Sequence, residues 1–372
     1  MKIAIFHPQL RTFGGGELIS LIIADSLSRK HEVTIYSPFN ADKKELEKFF
    51  DVNLSRVEIR QLGFLSSLVS RIPFIKTLKT SFYVRDMMSI KGSDLIFDTG
   101  TNGQFFKKLK CKTACYINFT KFTALKKGWK SILNFLLIDP KEAYKYDLII
   151  SNSKFTQKAV RDYSHGKESI IINPPVKIDK INPKKKKKNY ILSIGRFSPE
   201  KKHEVMIDAF KEFSRDVKGW ELHLVGQFQP GYNEDYIKML EQKAKGCQVV
   251  FHKNMPHEKL LKFTPECRIY WHARGYGETD PEEMENFGMC TVEAMAGGCV
   301  PIVINLGAQP EIVEHKVDGF CWDTPEELII YTKKIINDPV LMRNLSQKAI
   351  AKSRKYSLQK FCAEIDKAIS SL

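Results

Sequence analysis

Short apolar runs alternate with segments of helical periodicity along most of the chain. Residues 2–7 and 32–37 are typical of short buried strands, and residues 18–28 between them repeat with the period of a helix. A strand, a helix and a second strand in this order form a βαβ unit, which builds a parallel sheet. The pattern therefore predicts an α/β fold with a doubly wound, mainly parallel sheet.

The same alternation restarts near residue 190, after a run of lysines. Because 372 residues exceed the size of one ordinary domain, we expect two such domains that face each other across a cleft. Their predicted bounds are residues 1–183 for the first domain, 184–189 for a lysine-rich linker, 190–350 for the second domain and 351–372 for a C-terminal helix.

The first half carries candidate binding residues at two predicted strand ends, the edge at which open parallel sheets bind ligands. Gly15 and Gly16 follow the first strand and allow a ligand to approach the backbone closely. Ile19 breaks the dinucleotide-binding glycine spacing, and an ordinary tight turn is the alternative interpretation. Asn118 follows the predicted strand 113–117, and its amide can donate and accept hydrogen bonds.

The second half places two cations on the loop that follows its first predicted strand. Arg196 and Lys201 lie five positions apart there, directly after residues 190–195. A guanidinium and an ammonium on one loop can clamp a diphosphate, although such a loop is more often only solvated.

Two carboxylates, Glu285 and Glu293, stand eight positions apart around the predicted start of a short helix. The helix N-terminus attracts phosphate through free N–H groups and a partial positive charge. The N–H groups of Phe287, Gly288 and Met289 are therefore candidate donors. Seen alone, this pair fits a buried helix with a solvated acid at its start.

Taken together, these motifs resemble the retaining glycosyltransferases of family 4, which have the GT-B fold. The resemblance rests on Glu-x-Phe-Gly from residue 285, Glu-Ala-Met-Ala-x-Gly from 293, Gly-Arg-x-x-x-Glu-Lys from 195 and Asn-Ser-x-Phe-Thr from 152. Residues 271–277, Trp-His-Ala-Arg-Gly-Tyr-Gly, are similar to a subset that includes dolichol- and polyprenol-pathway mannosyltransferases. His272 in this segment is interpreted as a structural residue at a strand end.

The resemblance implies a role for each candidate residue. Arg196 and Lys201 would neutralise the leaving diphosphate, Glu285 would orient the sugar and Glu293 would bind the ribose. Gly15 and Gly16 would lie against the donor diphosphate and the acceptor. Asn118 stands on the acceptor side, where relatives often have a histidine. The final helix would cross back onto the first domain.

Charge and composition narrow the choice of partners. The chain has a net charge of +16, 43% hydrophobic residues and no long apolar segment. Because residue 2 already begins a predicted strand, we expect no signal peptide. A membrane face or a diphosphate substrate explains the charge better than nucleic acid, for which no module motif appears. Residues 60–87 form a basic amphipathic stretch that fits a membrane surface or a core helix equally well. The lysine run 184–188 fits a solvated linker, with attraction to anionic lipid as the alternative.

We therefore expect a hexosyltransferase that uses GDP-mannose, or alternatively a UDP-hexose, and needs no cofactor. Its acceptor would be a glycan or a lipid-linked glycan at the cytoplasmic face of the membrane, where the protein would be peripheral. No Asp-x-Asp pair occurs, so we expect no metal site. A catalytically silent nucleotide-sugar-binding subunit and a sugar-nucleotide epimerase are the alternatives.

Overall fold

The computed structural model describes residues 1–11, 14–62, 86–100, 110–119, 145–164 and 166–372. The chain forms two compact units, Met1–Asn173 together with Phe361–Leu372, and Pro174–Lys360. Residues 174–183, which we expected at the end of the first domain, belong to the second unit.

The first unit is built on a parallel sheet. Within the described residues its strand order is β3-β2-β1-β4-β5-β6-β7. These strands are β1 (Lys2–Phe6), β2 (Glu32–Ser37), β3 (Val57–Gln61), β4 (Leu95–Asp98), β5 (Lys112–Ile117), β6 (Leu148–Ser151) and β7 (Ile170–Ile171). Its described helices are α1 (Gly15–Leu27), α2 (Lys43–Phe50) and α3 (Lys154–Tyr163).

The helix α1 begins three residues before the expected start at residue 18. The Glu17 carboxylate turns back and accepts a hydrogen bond of 3.0 Å from the Gly14 N–H. This one-sided cap satisfies a backbone donor that has no partner within the helix, so the glycine turn itself becomes the first turn.

The second unit repeats the architecture with the strand order β10-β9-β8-β11-β12-β13, again counted within the described part of the chain. The strands are β8 (Lys188–Ile194), β9 (Glu221–Gly226), β10 (Val249–Lys253), β11 (Cys267–His272), β12 (Val300–Ile304) and β13 (Phe320–Trp322). The helices are α4 (His203–Asp216), α5 (Glu234–Lys243), α6 (His257–Phe263), α7 (Met289–Ala296), α8 (Gln309–Ile312), α9 (Pro325–Asn337) and α10 (Pro339–Ser353). The fully buried rings of Phe210, Phe213, Trp271 and Trp322 fill the core between this sheet and its helices.

The strand order reverses at one point in each sheet. The reversal lies between β1 and β4 in the first unit and between β8 and β11 in the second. Neighbouring loops leave such a point in opposite directions and open a crevice beyond the carboxyl ends of the strands. Functional residues are therefore expected after β1, β4, β8 and β11.

The lysine run is tied to the second unit. Lys184, Lys185 and Lys186 are exposed, but Lys187 donates hydrogen bonds of 2.7 Å to the backbone oxygens of Cys267 and Gly297. Burial lowers the pKa of the Lys187 ammonium. The last lysine of the run, Lys188, already belongs to β8.

The C-terminal region consists of two helices instead of one. A 3-10 turn, Arg354–Tyr356, separates α10 from α11 (Leu358–Ser370). The residues from Phe361 onward belong to the first unit, where the Phe361 ring lies 6.0 Å from that of Tyr116 and Asp366 accepts from Lys30 at 2.9 Å. The expected return of the final helix is thus present in the fold.

No helix within the described residues has the length and apolar character needed to cross a bilayer. Most of the basic amphipathic stretch 60–87, residues 63–85, lies outside the described part of the chain.

Candidate active site

Glu285 is the centre of a compact charged cluster in the second unit. Its Oε2 lies 2.8 Å from Lys201 Nζ and 3.2 Å from His272 Nε2, and its Oε1 lies 3.6 Å from a terminal nitrogen of Arg274. The carboxylate side chain is only 16% exposed. Lys201 follows β8 and His272 ends β11, so the cluster lies at the strand-order reversal of this sheet.

The cluster keeps Glu285 ionised. Burial alone would raise the pKa of the carboxyl, but Lys201, His272 and Arg274 together hold it well below its usual value. Burial lowers the pKa of His272, so its imidazole is neutral near pH 7 and donates from Nε2 to Glu285. Two cations therefore face one carboxylate, which leaves an excess of positive charge for an anionic ligand.

Local backbone features aim Lys201 at Glu285. The stem of Lys201 runs along Gly195, where an added Cβ would lie 3.2 Å from the lysine Cγ and Cδ. The next residue, Lys202, has a left-handed backbone with φ of 54° and is the N-cap of α4. Its ammonium pairs with Glu278 at 2.6 Å, which fastens the loop after β11 to this turn.

The turn into α7 needs a glycine. Gly288 has φ of 112°, and a Cβ there would lie 2.3 Å from Gln309 Nε2. Gln309 Nε2 donates to the Phe287 carbonyl at 3.3 Å, and Gln309 Oε1 accepts from the Thr291 hydroxyl at 2.9 Å. The glutamine thus fixes the N-terminus of α7, whose first N–H groups have no carbonyl acceptor within the helix.

Glu293 lies on the second turn of α7 and has a different partner. Its Oε1 is 3.0 Å from Nε2 of His257, the first residue of α6. The hydrogen bond to Glu293 raises the pKa of His257, whose side chain is 45% exposed. The carboxylate is thus oriented by a group that can move into solvent.

The remaining candidate residues are divided between the two units. Arg196 follows β8, but its guanidinium is 62% exposed and pairs with Glu200 at 3.2 Å, not with the Glu285 cluster. Gly15, Gly16 and Asn118 belong to the first unit. There, a Cβ on Gly16 would lie 3.8 Å from Asn118 Nδ2 and 3.9 Å from His7 Nε2.

Sequence reasoning missed several contributors to the site. Arg274 lies in the segment 271–277 but was assigned no role, and neither Gln309 nor His257 was a candidate residue. His272 was interpreted as structural, although it contacts Glu285 directly. His272 and Arg274 lie two residues apart at the end of a predicted strand, and this spacing is the signal that could have identified them.

Comparison with known proteins gives a family match for the second half of the chain. Residues 176–355 match the family described as Glycosyl transferases group 1. This match contains the whole Glu285 cluster together with α7. The chain is a glycosyltransferase.

Similar proteins extend over both units of this glycosyltransferase. Two relatives are named GDP-Man:Man(3)GlcNAc(2)-PP-Dol alpha-1,2-mannosyltransferase. The one from Dictyostelium discoideum is 25% identical over 246 residues, which are 60% of this chain and about half, 47%, of the relative. The one from Xenopus laevis is 24% identical over 421 aligned positions, covering 96% of this chain and 85% of the relative.

The crystal structure of HepE from Anabaena in complex with UDP and glucose has a TM-score of 0.72, with 19% identity and full coverage of both chains. The fold prediction is confirmed: the glycosyltransferase consists of two parallel-sheet, Rossmann-like domains of the GT-B class.

Proposed function

We propose that this glycosyltransferase moves a hexose, with retention of configuration, from a nucleotide-diphosphate sugar to a glycan or lipid-linked glycan. The donor we favour is GDP-mannose, with a UDP-hexose as the alternative. The reaction would take place at the cytoplasmic face of a membrane, with the protein bound peripherally.

The observation that carries the proposal is the Glu285 cluster beside the N-terminus of α7. Lys201 has three N–H donors and gives one to Glu285, so it has donors left for an anion. A helix N-terminus and an ammonium together stabilise a diphosphate that gains charge as the sugar leaves. Arg196, on the same loop, would add a second cation.

The two carboxylates would bind the neutral parts of the donor. Glu285, held ionised, accepts hydrogen bonds from hydroxyl groups of the hexose. Glu293 accepts from the ribose after His257 moves aside. The bond from the anomeric carbon to the diphosphate oxygen breaks, and the acceptor oxygen bonds to that carbon on the same face. The acceptor proton passes to the leaving diphosphate, so no protein base is needed at Asn118.

The names of the relatives support the choice of substrates. The relatives above use GDP-mannose and a dolichol-diphosphate acceptor by name. HepE was crystallised with UDP, which keeps the UDP-hexose alternative open. The net charge of +16 favours a phosphorylated acceptor or an anionic surface.

We also propose that transfer needs no metal ion, because Lys201 and Arg196 supply the positive charge. Within the described residues, no group of three histidine, cysteine, aspartate or glutamate side chains is arranged to hold a metal ion. Activity should therefore persist in EDTA. A strict requirement for added Mg²⁺ or Mn²⁺ would contradict this part of the proposal.

The test is a transfer assay with radiolabelled GDP-mannose and UDP-glucose as donors and Man(3)GlcNAc(2) linked through diphosphate to a short isoprenoid as acceptor. Lys201→Ala and Glu285→Gln should each lower kcat by about 10²–10³-fold, the usual effect of removing one preorganised charged or hydrogen-bonding group.

Lys333→Ala is the matched control. It breaks the pair with Asp216 at the C-terminal end of α4, whereas Lys201 lies just before the N-terminal end of that helix, so the rate should stay near that of the wild type. Donor binding without transfer to any acceptor would favour the silent subunit, and a rearranged free sugar nucleotide would favour the epimerase.

A further inference from the structure

The carboxyl edge of the first sheet contains a second polar cluster, next to the glycine turn. His7 follows β1, Thr99 follows β4 and Asn118 follows β5, so the cluster spans the strand-order reversal of this unit. His7 and Asn118 are 5% and 6% exposed, respectively. Both side chains point toward Gly16 in the first turn of α1.

The imidazole of His7 presents a donor. Its Nδ1 accepts a hydrogen bond of 3.2 Å from the Gln9 N–H. Burial lowers the pKa of His7, against the opposing effect of Glu17 and Asp98, so the ring is neutral near pH 7. A neutral imidazole that accepts at Nδ1 carries its proton on Nε2, the nitrogen nearest Gly16.

The amide of Asn118 presents an acceptor. Its Nδ2 donates to the Thr99 carbonyl at 3.3 Å, which fixes the orientation of the amide. Its Oδ1 is buried, and no donor within the described residues reaches it. A buried, unpaired acceptor destabilises the unliganded protein, so this atom requires a partner of some kind.

The surroundings select a neutral partner. The Glu17 carboxylate already occupies the N-terminus of α1, which disfavours a phosphate there. A phosphate dianion has no proton to give to Asn118, and an ammonium cannot accept from His7. A hydroxyl group does both. The Phe119 ring, 44% exposed, lies 4.0 Å from the Gly16 Cβ position and offers an apolar face to the C–H groups of a sugar ring.

We infer that His7 and Asn118 form a hydroxyl-binding pair beside Gly16 and that this pair positions a hydroxyl group of the acceptor sugar. The inference rests on the proposed glycosyl transfer and assigns His7 as a positioning residue for it. Gly100 leaves the space in which Pro8 and the His7 ring pack, because a Cβ at position 100 would lie 2.1 Å from Pro8 and 3.3 Å from the His7 ring.

Gly16→Ala is the most direct test, because it fills the site without disturbing its walls. The added methyl group would make ordinary contacts of 3.8–4.0 Å, and alanine favours a helix over glycine. The melting temperature should therefore stay the same or rise, while the space for a hydroxyl group is lost. His31→Gln, at the opposite edge of the sheet where β2 begins, is the control for loss of an imidazole.

The probe is methyl α-D-mannopyranoside, with its four monodeoxy analogues, measured by saturation-transfer NMR in the presence of GDP. We expect Gly16→Ala, Asn118→Leu and His7→Phe each to weaken binding of the mannoside by about tenfold, the effect of losing one or two hydrogen bonds. One deoxy analogue should bind wild type and Asn118→Leu equally, which would identify the hydroxyl group that is bound.

Three results would overturn the inference. The first is that Gly16→Ala binds the mannoside as well as the wild type does, and the second is that the wild type does not bind the mannoside at all. The third is that the variants bind GDP-mannose more weakly but bind the mannoside normally, which would assign the pair to the donor sugar. A water molecule alone beside Asn118 would give the first of these results. The proposed function is judged separately, by donor binding and by transfer of the hexose in the assay described above.

Discussion

At the scale of single residues, the two carboxylates of the site are held in different ways. Glu285 is 16% exposed and lies among Lys201, His272 and Arg274. Glu293 is also buried, but its partner His257 is 45% exposed. We therefore expect Glu285 to be preorganised before the donor binds, whereas Glu293 exchanges His257 for the ribose.

Gly288 provides a test of how the α7 turn is built. Gly288→Ala forces a side chain into a backbone of φ 112° and into Gln309. We expect a loss of about 2–4 kcal/mol in the free energy of unfolding, the range of a strained backbone together with a clash. Urea unfolding followed by tryptophan fluorescence measures it, since Trp220, Trp271 and Trp322 all lie in the second unit.

The double variant Gly288→Ala/Gln309→Ala separates the two causes of this loss. Removing the glutamine side chain relieves the clash but leaves the backbone strain, so part of the stability should return relative to Gln309→Ala alone. If Gly288→Ala leaves the free energy of unfolding unchanged both in the wild type and in Gln309→Ala, the backbone at this turn is not strained by a side chain.

At the scale of elements, the sequence predicted the strands at 2–7, 32–37, 113–117 and 190–195 to within two residues, because buried parallel strands are continuous apolar runs. The start of α1 was missed because Glu17 caps it from inside the helix. The break between α10 and α11 was missed because the apolar pattern continues across it. The assembly of Lys201 with Glu285 joins positions 84 residues apart, and only the order of β8, β11 and β12 brings them together.

His203, the first residue of α4, should make the stability of the second unit depend on pH. Its ring is fully buried, both nitrogens have no partner within the described residues, and burial, with Lys201 and His272, lowers its pKa to about 3 despite Glu200. The unfolded chain binds this proton below about pH 6.5 and the folded chain does not. The stability of the second unit therefore has its full value above pH 6.5, where His203 is neutral in both states, and this part of it is lost as the pH falls toward 3.

The measurement is the melting temperature of wild type and His203→Phe between pH 7 and pH 4. Phenylalanine replaces the ring by an apolar one of similar shape, beside Phe197 at 5.3 Å. The wild type should lose stability over this range more steeply than the variant. Parallel curves for the two proteins would show that His203 does not carry the effect.

At the scale of the whole molecule, the excess of 59 lysines and arginines over 43 acidic residues is larger than the donor site alone requires. The lipid-linked acceptor proposed above would bring this charge to the surface of an anionic membrane. We expect the protein to bind vesicles that contain phosphatidylserine, and to dissociate as ionic strength rises. Lys184→Gln/Lys186→Gln should weaken binding by up to about 30-fold, since each of the two basic residues contributes about 1 kcal/mol near the surface.

The control for vesicle binding is Lys333→Gln, which removes a lysine outside the exposed run, together with vesicles of phosphatidylcholine alone. Binding that ignores both the lipid charge and the salt concentration would rule out the electrostatic account. An effect of Lys333→Gln equal to that of the double variant would show that only net charge matters.

The two α/β domains followed from the sequence because both alternations of strand and helix are local patterns. The GT-B class followed from the family resemblance of motifs such as the one that begins at Glu285. The partners of the two glutamates of the site did not follow, since His257, His272 and Arg274 are brought to them by tertiary packing that no local spacing encodes. His7 was missed for the same reason: it ends an apolar strand and meets Asn118 only across the sheet.

The most direct test of the central claim is a thermal-shift measurement with GDP, UDP, ADP and their sugar conjugates. Wild type, Lys201→Ala, Glu293→Ala and the control Lys333→Ala are compared at millimolar ligand. A ligand at a hundred times its Kd stabilises the folded protein by about 2.7 kcal/mol. The account predicts that one nucleotide sugar raises the Tm of wild type and Lys333→Ala and leaves the other two variants unchanged. If no sugar nucleotide shifts the wild type, or if Lys201→Ala and Glu293→Ala respond fully, the donor site is not where we place it.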